Sequence, residues 1–195
     1  MGAGGGGAPT RAAGERAPLV AVPRDLPERP ATVPSAVFYP RHIRTETGFN
    51  ADHVSPTLVL GSLPRGHGDI AALRADGVTE AVSLNERHEL ALQEADFARH
   101  GIRLTVLPTV DMQAPSPESV EGALAAFDRA AASGGRAFVH CLAGRGRSAT
   151  VAACHMNRVY GMSPSSAVSH LQSHRPIAWL APVQEAGLAA FAARR

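Results

Sequence analysis

The sequence is poor in cysteine, in aromatic residues and in long apolar runs. It contains two cysteines, Cys141 and Cys154, among 195 residues, and two thiols cannot build a disulfide framework. We therefore expect reduced cysteines, one of them reactive, in a reducing compartment. No apolar run approaches the ~20 residues of a transmembrane helix, and we expect no signal peptide because the N-terminus shows no continuous apolar core.

Neither sign of charge dominates the sequence. The chain has 19 Lys and Arg against 17 Asp and Glu, and it lacks the concentrated basic patch of a dedicated nucleic-acid binder. A local arginine cluster would still suffice for a small anionic substrate. The nine histidines show no paired spacing with Cys, Asp or Glu that is typical of a metal site. We therefore expect no nucleic-acid partner, no metal and no cofactor.

Residues 1–36 are predicted to form a disordered tail. Seven of the 15 prolines and six of the 19 glycines lie in the first 40 residues, and no aromatic residue precedes Phe38. Such a segment cannot bury enough apolar surface to offset the entropy of ordering it. Its arginines are mixed with acidic residues, so a targeting segment and a plain low-complexity tail both remain open. Residues 37–195 are predicted to form one domain.

Strands and helices alternate through this domain, which predicts an α/β fold with a mostly parallel central sheet flanked by helices. Short apolar segments indicate strands, the last of them central, over residues 57–60, 80–84, 102–107 and 137–139. Helical spacing and capping residues indicate helices over residues 69–75, 86–100, 117–133, 148–160, 164–174 and from 182 onward. The helix over residues 148–160 is apolar on nearly every side, so it belongs in the core. We expect Cys154, on that helix, and Trp179, near Ile177 and Leu180, to contribute to packing.

The most informative segment joins the predicted central strand to this buried helix. Residues 140–148 read His-Cys-Leu-Ala-Gly-Arg-Gly-Arg-Ser. Backbone N–H groups at a helix start, together with the helix dipole, form an anion site. Glycines let such a loop curl so that its N–H groups point inward, and Arg147 can bind two phosphate oxygens at once. The predicted phosphate-binding residues are Leu142, Ala143, Gly144, Arg145, Gly146 and Arg147.

The same positive field is expected to activate the Cys141 thiol. Thiols at helix N-termini beside cationic groups have pKa values of roughly 3.5–7.5, against ~8.5 for a free cysteine. A Cys141 thiolate could attack phosphorus while the loop holds the other oxygens. We expect Ser148 to donate a hydrogen bond to the sulfur and His140 to orient the loop. Two alternatives remain: a buried structural cysteine, and a sulfurtransferase, which would need no upstream acid.

An upstream acid is present. Asp111 follows the strand predicted over residues 102–107, on a loop with Pro115 and Pro117. From such a loop a carboxylic acid could protonate the leaving alcohol and then activate water. Asp96 and Asp128 lie within predicted helices and fit this role less well. The alternative for Asp111 is a solvated turn residue.

These residues resemble a known family. Residues 140–148 resemble the His-Cys-x5-Arg-Ser signature of protein tyrosine and dual-specificity phosphatases. Extended through Ala149-Thr150, the run is similar to the mitochondrial phosphatidylglycerophosphate phosphatases, especially the plant-type ones. Leu142 stands where these relatives usually have Lys. Further similar stretches are Phe38-Tyr39-Pro40, Val59-Leu60-Gly61-Ser62-Leu63-Pro64, Pro108-Thr109-Val110-Asp111, Arg175-Pro176 and Ala181-Pro182.

The resemblance implies the compact dual-specificity phosphatase fold and a role for each site residue. It implies that Cys141 is the nucleophile, that Arg147 and the loop amides bind phosphate, and that Asp111 is first acid and then base. Ser148 would assist hydrolysis of a phosphocysteine. Asn85-Glu86-Arg87-His88-Glu89 is similar to the family's Asn-Glu-x-Tyr-Glu, so Glu86, His88 and Glu89 are implied to recognise substrate.

The resemblance also implies a substrate and a location. The implied substrate is phosphatidylglycerophosphate, hydrolysed by a monomer at the mitochondrial inner membrane, with peripheral contact to the membrane surface. A protein or phosphoinositide phosphatase on the same scaffold is the alternative function, and the cytoplasm or a plastid is the alternative location. A phosphate-binding adaptor without catalysis is a second alternative, and the presence of Cys141, Arg147 and Asp111 argues against it.

Overall fold

The structure is a computed structural model that describes residues 1–2 and 41–194. Nearly all of the predicted tail and the stretch Phe38-Tyr39-Pro40 lie outside the described residues. The predicted boundary between tail and domain therefore stays a prediction.

Six strands form one sheet in the order β1-β2-β3-β6-β4-β5. Strand β6 lies in the centre and is parallel to both neighbours, and β5 is parallel to β4. Strands β1 and β2 add an antiparallel edge to β3. The predicted α/β class and the central position of the last strand are therefore confirmed. The strands are β1 His42–Arg44, β2 Asn50–His53, β3 Leu58–Gly61, β4 Val78–Ser83, β5 Arg103–Val106 and β6 Arg136–His140.

Helices cover both faces of the sheet. Because successive strand residues point to opposite faces, Val139 packs toward one helical layer and Phe138 toward the other. Helices α1 and α2 lie on the smaller core, and α3 to α6 lie on the larger one. Ser116 and Ser163 begin α3 and α5 as predicted, each accepting a backbone hydrogen bond ahead of a proline. The helices are α1 His67–Ala75, α2 Glu94–Arg99, α3 Pro117–Ala132, α4 Arg147–Tyr160, α5 Pro164–His174 and α6 Pro182–Ala193.

Helix α4 is the buried helix that the sequence predicts. It packs against α3, α5, α6 and the central strands, and its first ten residues are all buried. Cys154 lies in this core, as expected. The fold thus holds the start of α4 rigidly at the end of the central strand.

The single helix predicted over residues 86–100 is wrong. The segment instead forms a 3-10 turn, Arg87–Glu89, followed by α2. The carboxylate of Glu89 accepts a hydrogen bond from the Glu86 N–H at 2.7 Å, and Leu90 is extended. Asp96 accepts a hydrogen bond from the Gln93 N–H at 2.9 Å and so begins a new helix there. These two local caps interrupt the apolar spacing on which the prediction depended.

Candidate active site

Three segments meet where the parallel strands β4, β5 and β6 end. Glu89 follows β4, Asp111 follows β5 and Cys141 follows β6. Because these strands are parallel, their carboxyl ends share one edge of the sheet, which is where ligands bind in open α/β sheets. The topology therefore brings together residues that are far apart in sequence.

The loop between β6 and α4 curls tightly. Gly144 has a φ of +66°, and a Cβ atom there would lie 2.4 Å from the carbonyl oxygen of Gly61. A side chain at this position would combine backbone strain with a clash against β3. Glycine at position 144 is therefore required by the loop's shape.

The loop turns its carbonyl groups away from its concave side. Each carbonyl of residues 142–146 accepts a hydrogen bond from a residue outside the loop, and because a peptide unit is planar, the following N–H points the opposite way. The N–H groups are thereby left to form an anion-binding nest. The donors are the N–H groups of Leu63 (to Leu142, 3.1 Å), Trp179 (to Arg145, 3.0 Å) and Thr150 (to Gly146, 2.8 Å), and the Arg175 side chain (to Ala143, 2.7 Å, and Gly144, 2.8 Å).

Arg175 supports the loop from behind and is fully buried. Its guanidinium donates to Asn50 Oδ1 at 2.7 Å and is paired with the Asp52 carboxylate. One side chain therefore joins the loop to strand β2. Only a guanidinium offers enough fixed donors to bind two carbonyls, an amide and a carboxylate together.

Cys141 lies at the base of the loop with its sulfur among hydrogen-bond donors. The Ser148 hydroxyl donates to Cys141 Sγ at 3.2 Å. Burial opposes ionisation of this thiol, yet the Ser148 hydroxyl, the N–H groups of Ser148 and Arg145, and the charge of Arg147 together lower the pKa of Cys141. The direction agrees with the one expected from the loop sequence.

Arg147 is buried and is held from two sides. Its Nη1 and Nη2 donate to the Glu89 carboxylate at 2.7 Å and 2.9 Å, and Nη1 also donates to the Thr109 carbonyl at 3.0 Å. Its Nε lies 3.2 Å from Asp111 Oδ1. The hydrogen bonds from Arg147 lower the pKa of Glu89 to about 2. Glu89 is therefore charged at neutral pH and fixes the plane of the guanidinium.

Asp111 lies on the rim of a cavity of about 260 Å³ that opens above Cys141. Its side chain is 67% exposed, so it can contact both a bound ester and water. Asp96 caps α2 and Asp128 pairs with Arg158, and neither lines this cavity. The cavity is lined by Asp111, Met112, Cys141, Leu142, Ala143, Arg145, Gly146, Arg147, Trp179 and Gln184.

His140 lies behind the loop, stacked on Phe138 with 5.1 Å between ring centroids. Burial, with a smaller effect from the charge of Arg147, lowers the pKa of His140 to about 3. A neutral, buried imidazole is poorly suited to proton transfer, and the orienting role of His140 stays a prediction. Of the recognition residues, Glu89 contacts Arg147, whereas Glu86 and His88 lie on the same turn without lining the cavity.

The site can be compared with known proteins. Residues 51–193 match the family described as "Swiss Army Knife protein, DSP-PTPase phosphatase domain". The chain belongs to this phosphatase family. The resemblance inferred from the signature loop is therefore confirmed, and the sulfurtransferase alternative is set aside.

Two similar proteins are named as phosphatidylglycerophosphate phosphatases. The chain is 33% identical over 157 residues to phosphatidylglycerophosphate phosphatase PTPMT1 of Arabidopsis thaliana, covering 76% of this chain and 46% of that protein. It is 32% identical over 134 residues to PTPMT2 of the same plant, covering 68% of this chain and 58% of that protein. The chain thus spans about half the length of these two relatives.

Solved structures confirm the dual-specificity phosphatase fold. The crystal structure of PTPMT1 in complex with PI(5)P superposes with a TM-score of 0.69 at 25% identity, covering 73% of this chain and 94% of that one. The active form of Tk-PTP superposes with a TM-score of 0.70 at 23% identity, covering 74% of this chain and 97% of that one. The second likeness concerns the fold alone.

Two residues contribute to the site in ways that the sequence alone does not predict. Arg175 appears in the sequence only within a family-like Arg-Pro stretch, and its spacing from Cys141 gives no signal. Gln184 lines the cavity and donates to the Gln113 carbonyl at 3.0 Å, which joins α6 to the loop that carries Asp111. A lone glutamine in the first turn of a helix carries no recognisable motif.

The expectation that Trp179 contributes to core packing is wrong. Trp179 and Ile177 are exposed, and only Leu180 of that group is buried. The Arg145 guanidinium lies 5.2 Å from the centre of the Trp179 ring, at the cavity mouth. The Trp179 N–H donates to the Arg145 carbonyl at 3.0 Å, so its backbone supports the loop while its side chain lies on the surface.

Within residues 1–2 and 41–194, no cluster of three or more His, Cys, Asp or Glu side chains could hold a metal ion. Over the same residues, no helix combines the length and apolar character that crossing a bilayer requires.

Proposed function

We propose that this chain is a cysteine-dependent phosphomonoesterase that removes phosphate from phosphatidylglycerophosphate through a phosphocysteine intermediate. The observation that supports this proposal is the position of Cys141 beneath a nest of inward N–H groups, with Arg147 and Asp111 beside it. Phosphoryl transfer to sulfur needs a thiolate, donors for the phosphate oxygens and an acid, and these three residues supply groups of each kind.

In the first step the Cys141 thiolate attacks phosphorus opposite the ester oxygen. The loop N–H groups and Arg147 bind the three remaining oxygens, whose charge must be stabilised as the ester bond breaks. Protonated Asp111 donates its proton to the leaving alkoxide, so that a free alcohol departs. The products of this step are the alcohol, the phosphocysteine and the Asp111 carboxylate.

In the second step water attacks the phosphocysteine. The Asp111 carboxylate takes a proton from that water, which restores the acid form. The P–S bond breaks, and the Ser148 hydroxyl, 3.2 Å from the sulfur, stabilises the departing thiolate by hydrogen bonding. Inorganic phosphate then leaves and the loop is restored.

The choice of a lipid phosphate follows from relatives and from the cavity. The Arabidopsis relatives are named for phosphatidylglycerophosphate, and a structure of a similar protein holds PI(5)P. Here the side chains of Leu142, Met112 and Trp179 add apolar surface to the cavity lining, which suits the acyl-glycerol part of a lipid. The mitochondrial location implied by the family resemblance belongs to the same proposal.

A protein phosphatase on the same scaffold is the second candidate. A human relative, 29% identical over 135 residues, is named "Phosphatidylglycerophosphatase and protein-tyrosine phosphatase 1". Leu142 stands where the relatives usually have Lys, so one positive charge over the substrate is missing, and His88 stands where they have Tyr in the recognition segment.

The test compares phosphate release from phosphatidylglycerophosphate, phosphoinositides and a phosphotyrosine peptide. We expect the highest kcat/KM for phosphatidylglycerophosphate. Preference for the peptide would contradict the lipid assignment while leaving the phosphatase chemistry in place.

The control is Cys141→Ser. It should bind phosphate with little change and lose turnover on every substrate, because a serine hydroxyl at this site is not ionised. More than a few per cent of wild-type turnover in folded Cys141→Ser would contradict the covalent mechanism.

A further inference from the structure

The exposed apolar side chains of this protein are not scattered. Apart from Met1, each large hydrophobic residue that is exposed in the described part of the chain either lines the catalytic cavity or lies within two residues of one that does, with exposures between 43% and 58%. We call this set the apolar rim. It consists of Val110, Met112, Leu142, Ile177, Trp179 and Val183.

Three separate segments contribute to the apolar rim. Val110 and Met112 flank the proposed acid, Leu142 is part of the phosphate loop, and the remaining three lie between the end of α5 and the first turn of α6. Isolated surface hydrophobic residues are ordinary, whereas a cluster surrounding a functional cavity indicates an interaction surface.

A positive charge lies beside one member of the apolar rim. Arg145 is exposed and its guanidinium lies over the Trp179 ring. Tryptophan is enriched at the boundary between lipid headgroups and acyl chains. An arginine beside it can keep its charge among the phosphates while its stem lies on apolar surface.

We propose that the apolar rim seats this phosphatase on a lipid bilayer, with the cavity mouth facing the headgroups. This inference rests on the proposed lipid substrate. A phosphate ester at the bilayer surface can reach Cys141, at the base of the cavity, only if the surrounding rim makes contact with the headgroup layer. Shallow insertion of the rim would bury apolar side chains and bring the phosphate to the sulfur in the same movement.

The chain offers a direct spectroscopic test because Trp179 is its one tryptophan. Wild-type protein is mixed with vesicles of phosphatidylcholine alone or with phosphatidylglycerol, neither of which carries a phosphomonoester. We expect a blue shift of the tryptophan emission and co-sedimentation with the vesicles, stronger with phosphatidylglycerol because of Arg145. High salt should remove this enhancement and leave the vesicle binding that comes from apolar contact.

A variant outside the cavity lining tests the assignment. Ile177→Ser combined with Val183→Ser removes apolar contact, and neither residue lines the catalytic cavity. We expect vesicle partitioning to fall by about tenfold or more. Turnover of soluble p-nitrophenyl phosphate should stay at the wild-type value, which also shows that the variant is folded. Ala125→Ser, at an exposed position on α3, is the matched control and should change neither quantity.

The outcomes separate this inference from the proposed function. Absence of both blue shift and sedimentation, or sedimentation unchanged in the double variant, would overturn the docking surface even if phosphatidylglycerophosphate is hydrolysed. Self-association that the double variant abolishes, without vesicle binding, would assign the rim to a protein interface and would also overturn it. Vesicle binding that depends on the rim, without hydrolysis of the lipid, would support docking and contradict the proposed substrate.

Discussion

At the scale of single residues, Ser148 favours ionisation of Cys141. Its hydroxyl and its backbone N–H both act on the sulfur, and both favour the thiolate. Removing the hydroxyl in Ser148→Ala should therefore raise the pKa of Cys141, although the loop N–H groups and Arg147 remain. We expect the pH profile of inactivation by iodoacetate to move to higher pH and hydrolysis of the phosphocysteine to slow.

The wild-type protein provides the reference for this measurement. Iodoacetate should inactivate it well below pH 7, and vanadate should protect it. Ser119, a half-buried serine on α3 that does not line the cavity, is a matched control, and Ser119→Ala should leave the profile unchanged. If wild-type alkylation follows a titration near the free-thiol value of ~8.5, the loop does not activate this cysteine.

Asp111 is the second residue whose proposed role has a distinct kinetic signature. Asp111→Asn should lower kcat by ~10²–10⁴ for an alkyl phosphate, the usual contribution of a positioned acid. Substrate should still bind, because the phosphate is held by Arg147 and the loop amides. A nitrophenyl ester has an acidic leaving group that needs little protonation, so its cleavage step should be affected far less.

Burst kinetics separate the two steps, since Asp111 is also expected to assist hydrolysis of the intermediate. Asp128→Asn is the control, because Asp128 is exposed and pairs with Arg158 away from the cavity. An equal loss in the cleavage step for both esters would mean that Asp111 only shapes its loop. Glu89 would then be reconsidered as the donor, although its low pKa of about 2 disfavours that role.

At the scale of elements, the phosphate loop depends on Arg175. Arg175→Lys keeps a positive charge near Asp52 but cannot bind the Ala143 and Gly144 carbonyls in the same geometry. We expect this positioning variant to lower kcat by up to ~10²-fold, since small displacements of reacting groups have effects of that size. Vanadate affinity should fall and the alkylation profile of Cys141 should move to higher pH.

The control for Arg175 is Arg103→Lys, at an exposed position on β5 near Glu80. It should change none of these quantities. A variant Arg175→Lys that loses stability but retains wild-type kcat, vanadate affinity and alkylation profile would show that Arg175 only stabilises the fold.

Local sequence signals predict some elements and fail for others for identifiable reasons. Ser116-Pro117 and Ser163-Pro164 determine helix starts through their own chemistry, so both are predicted correctly. Strand β2 is not predicted, because its buried residues Asp52 and His53 are polar. They are buried because distant partners, Arg175 and Asp76, pair with them, and no pattern within β2 reveals those partners.

At the scale of the whole molecule, alternation of strands and helices predicts the α/β class, and the signature loop predicts Cys141 and Arg147 as neighbours. The meeting of Glu89 with Arg147 depends on strand order, which places β4 beside β6. Sequence distance carries no information about that pairing. The antiparallel edge formed by β1 and β2 likewise follows from tertiary contacts. The parts of the site carried by one segment are therefore predictable, and the parts assembled across the sheet are not.

The whole fold also determines how the protein responds to acid. His140 and His155 are buried, and burial lowers the pKa of each to about 3. In the unfolded chain these histidines would bind protons near the ordinary value of ~6.5. The unfolded state therefore takes up more protons than the folded state as the pH falls below that value. The stability that these histidines contribute is fully present above their pKa in the unfolded chain. It is lost progressively as the pH falls from there toward their pKa in the folded protein.

His155 allows this response to be tested away from the active site, since it packs in the core against Phe127 at 5.3 Å between ring centroids. Each such histidine should contribute a slope of about 1.4 kcal/mol per pH unit to the free energy of unfolding. His155→Leu should reduce the measured slope between pH 6 and pH 5 by about that amount, a window above the range in which Glu89 titrates. Denaturant titrations across this window provide the measurement, with His88→Gln, at an exposed position, as the control. An unchanged slope in His155→Leu would show that His155 is protonated in the folded protein, and hence that the core around α4 admits water.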